Sequence, residues 1–144
     1  MKPRGTKFEY EDERNRDLMR VYRQCIESTD FISMPAIYEQ VVSLPAERFW
    51  VSEERAAIVI ASMMKGDNLE RMRPNKREMF QEIYQRAMKL KEENPAMSIF
   101  DLAFATVRQP APKFYLTPGS AKVIICKVKK QWYEERKRKL RHLF

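Results

Sequence analysis

Apolar residues recur at helical spacing along most of the chain. Leu18, Val21, Tyr22, Cys25 and Ile26 stand at i, i+3, i+4, i+7 and i+8, one stripe of an amphipathic helix, and Phe80, Ile83, Tyr84, Ala87 and Met88 repeat that spacing 62 positions later. No run of Val, Ile and Thr alternates with period two, so half-buried strands are not expected. The likeness continues downstream: Ser33 to Ile60 aligns without a gap onto Ser98 to Ile125 at an offset of 65. Identical pairs include Val42/Val107, Pro45/Pro110, Ala46/Ala111, Phe49/Phe114, Ala56/Ala121 and Ile60/Ile125. A self-similarity of this length predicts a duplicated unit.

Each copy divides into three helices. The first carries the stripe. The second follows Ser33 or Ser98, both good N-cap residues, with Pro35 in the first turn of one copy and Asp101 completing a capping box in the other, and stops before Pro45 or Pro110. The third is capped by Ser52 or Thr117 and buries Ala56, Val59, Ile60 and Met63, or Ala121, Ile124, Ile125 and Val128. The expected organisation is all-α: two tandem, diverged three-helix units with a basic C-terminal helical tail. Its parts are an N-terminal arm (1–11), repeat 1 (12–66), a linker (67–73), repeat 2 (74–131) and the tail (132–144), which is expected to fray. Units this small should pack together.

Composition fits this reading. Among 144 residues there are only 3 Gly, against 9 Met and 33% charged residues. The two cysteines, Cys25 and Cys126, read as small apolar core residues of a reducing compartment. With no apolar run near 18 residues and a polar, charged N-terminus, the expectation is an intracellular, cytoplasmic protein with no membrane span. The net charge of +8 makes an anionic partner a candidate. That charge is unevenly spread: repeat 1 has seven basic against nine acidic residues, repeat 2 eleven against five, and the tail five against two.

The turn between helices two and three carries the strongest internal signature, Pro45 to Ser52 and Pro110 to Thr117. Proline stops one helix, the aromatic and aliphatic residues fill the core of the unit, and the hydroxyl caps the next helix. The same turn sets a cation beside an aromatic pair, so Arg48 or Lys113 is a candidate phosphate contact, with Trp50 or Tyr115 beside a sugar or base. The layout resembles the helix-turn-helix class and tandem Myb-like repeats, which implies a third helix directed at DNA. The turn here spans about eight residues and lacks the Myb tryptophan pattern, so no residue roles are carried over.

The third helices differ in charge. Repeat 1 opens with Glu53 and Glu54, which would repel phosphate, whereas repeat 2 presents Lys122, Lys127, Lys129 and Lys130 and leads into Arg136, Lys137, Arg138 and Lys139. Catalysis is not expected. The single histidine, His142, sits in the tail, and no zinc spacing, GxxxxGK[ST] or GxGxxG occurs, so neither metal nor cofactor is anticipated. The expected function is a small non-enzymatic nucleic-acid-binding protein, with duplex DNA the favoured partner. Its contacts would be Arg48, Lys113, Tyr115, Lys122, Lys127, Lys129, Lys130, Arg136, Lys137, Arg138 and Lys139. The alternative is a scaffolding module in which repeat 1 docks a protein partner or a second copy of the chain.

Overall fold

A computed structural model describes residues 5–143, and side chains from residue 10 onward; residues 1–4 of the N-terminal arm and Phe144 of the tail lie outside the described residues. The described residues form six helices and no strands: α1 (Gly5–Glu27), α2 (Met34–Ser43), α3 (Glu53–Met64), α4 (Pro74–Glu93), α5 (Ile99–Val107) and α6 (Pro118–Leu143). Local chemistry accounts for most boundaries. Ser52 accepts a hydrogen bond from the Arg55 amide at 3.1 Å, Ser98 from the Asp101 amide at 3.1 Å, and Thr117 from the Ser120 amide at 3.1 Å. Ser33 occupies the N-cap of α2, but its side chain makes no capping bond. α3 ends where Gly66 adopts φ +105, the left-handed conformation that lets its amide reach the Met63 carbonyl.

One helix runs further than the sequence pattern indicates. α1 starts at Gly5 rather than Asp12, because nothing in the following residues breaks a helix and Tyr10 is held edge-on against Trp50 at 5.8 Å between centroids. α6 continues through the basic tail, which is helical as the sequence pattern indicates. Arg141 stands in its last turn, where a cation complements the helix dipole.

The helices pair across the two halves. α1 packs on α2 and α4 on α5, but α3 packs on α4 and α5, and α6 on α1 and α2. Among the described residues, α3 does not pack on α1 or α2, nor α6 on α4 or α5. The turns cross at the centre of this exchange. Ala46 and Ala111 form an antiparallel bridge, each amide donating to the other's carbonyl at 3.0 and 3.1 Å. Beside it, the Phe49 amide donates to the Val107 carbonyl at 3.0 Å and the Phe114 amide to the Val42 carbonyl at 3.4 Å. Carbonyls left unpaired at the end of each second helix are thus satisfied by the turn of the other half. Alanine at the crossing lets the two backbones approach.

The core is shared in the same way. Leu18, Val21, Ile37, Val41, Ile60, Ile83, Leu102, Val107 and Ile125 are almost completely buried, as are Ala56 and Ala121. Phe49 fills the junction of the halves rather than the interior of its own unit: it stacks on Tyr115 at 6.0 Å and lies 4.9 Å beneath the Arg86 guanidinium. Cys25 is buried as expected, but Cys126 is exposed, since it falls on the flank of α6 between the stripe of Ala121, Ile125 and Val128 and the solvent.

One buried group is out of place. The Thr106 hydroxyl is enclosed in α5 without a hydrogen-bond partner among the described residues, and the residue 65 positions earlier, Val41, is equally buried with the same branched shape. Thr106→Val should raise stability by about 1 kcal/mol, because it removes the desolvation penalty and keeps the volume. Urea unfolding reads this directly; a lowered midpoint would show that the hydroxyl has a partner.

Candidate functional site

The face with the least internal use is the outer face of α6. Its packed stripe, Ala121, Ile125 and Val128, ends at half-buried Trp132, and none of the residues 133–143 is buried. At a rise of about 1.5 Å per residue the whole helix is about 39 Å long, and its last three turns stand in solvent. Positions opposite the packed stripe hold Lys127, Lys130, Lys137 and Arg141, spaced three, seven and four apart with Glu134 between them. Lys122, Lys127, Lys130, Arg136, Arg138 and Lys139 are exposed and form no ion pair among the described residues. Lys137 lies 4.9 Å from the Tyr133 ring.

The other sequence-selected residues are engaged inside the fold. Arg48 donates to the Phe49 carbonyl at 3.2 Å and the Val51 carbonyl at 3.0 Å, and pairs with Glu53 at 3.4 Å. Its guanidinium also lies 5.3 Å from the Trp50 ring, so it braces the turn to which it belongs. Lys113 is paired with Glu78 at 2.7 Å. Tyr115 is buried against Phe49, with its backbone at φ 58. Burial pushes its phenol up to about 12, helped by Glu82 and Glu78 and opposed by Arg86. A base has no open face of Tyr115 on which to stack. Lys129 donates to the Tyr22 hydroxyl and sits over that ring at 4.4 Å, tying α6 to α1.

Two features escaped the sequence. The first is Asp17, the buried carboxylate of α1, which accepts from the Glu47 amide at 2.9 Å, the Trp50 indole at 2.8 Å and Arg20 at 2.6 Å. It fixes α1 to the signature turn of its own half. The second is a row of arginines on α1. Arg16, Arg20 and Arg23 follow i, i+4, i+7 spacing, and the fold lays α6, the basic helix of the other half, against that helix. The spacing was visible in the sequence; the juxtaposition was not.

No helix of the described residues is long and apolar enough to cross a membrane, and among them no group of three or more His, Cys, Asp or Glu could hold a metal ion. Comparisons with protein-family models, with curated proteins and with solved structures gave no match to this chain.

Proposed function

We propose that the protein binds nucleic acid, duplex DNA in the first instance, as a non-enzymatic accessory or regulatory protein that contacts the phosphate backbone through α6. The observation that carries this reading is the run of cations that form no ion pair among the described residues, Lys122, Lys127, Lys130, Arg136, Arg138 and Lys139, along a helix whose residues 133–143 are all exposed. Cations that are already solvated and unpaired can release counterions from a polyanion without first breaking internal ion pairs. Arg48, Lys113 and Tyr115 are left out of the interface because their side chains serve the core and the turns.

Fluorescence anisotropy of labelled duplex DNA across a salt series tests the proposal. If about five phosphates are neutralised, log K should fall against log salt with a slope of about −4.5. Lys127→Gln combined with Lys130→Gln should weaken binding by a similar factor for unrelated sequences, since backbone contacts carry no sequence information. Absence of binding at low salt, or a flat salt response, overturns the reading.

A second reading, a protein-docking module, draws support from Phe31, Phe100 and Phe104, which are large, apolar and exposed. Phe104 lies 4.2 Å beneath the Arg108 guanidinium, and these residues occur in both halves rather than in repeat 1 alone. A stable oligomer by light scattering with no affinity for DNA would favour this reading over the first.

A further inference from the structure

The cleft between α1 and the end of the packed part of α6 is lined by Arg16, Met19, Arg20, Arg23 and Trp132, with Glu27 as its one lining carboxylate, and measures about 670 Å³. Its three arginines are not equivalent. Arg20 is committed to Asp17 at 2.6 Å and to Glu47 at 3.5 Å. Arg16 and Arg23 form no ion pair among the described residues. The Arg23 guanidinium lies over the Trp132 ring, 5.2 Å from its centroid, which restrains the side chain while its in-plane N–H groups remain free to donate. Met19 and Trp132 make part of the wall apolar.

Helical spacing extends this cationic track. Past Trp132 the stripe that faces α1 and α2 continues as Glu135, Arg136 and Lys139, at i+3, i+4 and i+7, so the direction that is apolar in the packed half of α6 becomes charged in the projecting half, with two cations to one carboxylate. The first half of the chain, acidic by residue count, therefore presents cations on the side where the basic helix of the second half lies.

We infer that the α1–α6 cleft is a nucleic-acid backbone site in which Arg16 and Arg23 each meet a phosphate, with Trp132 holding Arg23 in place. This rests on the nucleic-acid reading above and enlarges it: the binding surface spans both halves rather than repeat 2 and the tail alone. Free inorganic phosphate shares the recognising chemistry, but it would not follow the continuation of the track along Arg136 and Lys139.

The test compares the full-length protein with the Arg16→Gln/Arg23→Gln double variant in the same duplex salt series. Removal of two phosphate contacts should lower the magnitude of the slope by about 2, and Arg23→Lys in place of Arg23→Gln should restore about 1 of it. Both guanidiniums are on the surface, so thermal melting followed by circular dichroism should be unchanged. Duplex DNA should also change the tryptophan emission of the wild-type protein, and Trp132→Phe should abolish that change. A steep wild-type slope left intact in the double variant overturns the cleft and spares the general reading. No wild-type binding at low salt overturns both. Saturable quenching of Trp132 by inorganic phosphate, at an ionic strength matched with chloride, would assign the cleft to a free phosphate ligand and also overturns the inference.

Discussion

Asp17→Ala should destabilise the protein by about 3–5 kcal/mol, the loss that follows removal of one partner from a buried charged network. The carboxylate is buried at 2% relative exposure and receives three donors: the Glu47 amide, the Trp50 indole N–H and the Arg20 guanidinium. Arg20 can turn to solvent or lean on Glu47, but the indole of half-buried Trp50 and the Glu47 amide donate to no acceptor other than Asp17 among the described residues. The damage should also spread, because Trp50 supports Tyr10 of α1 and stacks beneath Arg48, which braces the turn. Asp17→Asn keeps one acceptor oxygen and should lose less. Chemical denaturation checks both variants: a loss below about 1 kcal/mol for the alanine variant would mean that the three hydrogen bonds add nothing net to exchange with water.

The contrast between Asp17 and its surroundings shows what was legible in the sequence. Leu18, Val21, Tyr22 and Cys25 announce a helix by spacing alone, and Pro45, Pro110, Ser52 and Thr117 mark ends and starts with chemistry that acts within a few residues. Such local signals placed all six helices. Asp17 precedes Leu18 on the polar edge of that stripe, where a carboxylate ordinarily meets water; its burial depends on a turn 30 residues away, which no local pattern encodes. The arginines of α1 failed to stand out for a different reason. Summing charge over a segment cancels Arg16 and Arg23 against acids on other faces of the same half, whereas a ligand meets faces and not sums. For Tyr115 the core-filling reading of the signature turn matches its burial against Phe49, but its left-handed backbone had no signal in the sequence of a non-glycine residue.

Which helix covers which stripe was also beyond local reading. An amphipathic face specifies that it must be buried, not by what, and a linking segment of nine residues between α2 and α3 permits packing on either half. The exchange seen here settles that choice and has a large consequence. A fragment of residues 1–66 retains α1 and α2 but lacks α6, which covers them, and its α3 lacks α4 and α5. A fragment of residues 67–144 is deprived in the mirror sense. Each should therefore show much less helix as a monomer than its share of the intact chain: α2, α3 and α5, of 10, 12 and 9 residues, are marginal alone in water, and Val59, Ile60, Ile125 and Val128 would have nothing to pack against. Mixed at equal concentration, the two should regain most of the helical signal of the intact chain, because all the cross-half contacts, including the Ala46–Ala111 bridge, can re-form between separate polypeptides. The regain should depend on concentration, as an association requires. Circular dichroism with analytical ultracentrifugation reads both quantities. Native helix content in either fragment, sedimenting alone as a monomer, would show that a three-helix unit closes its own core, and the exchange of third helices would then be dispensable for folding.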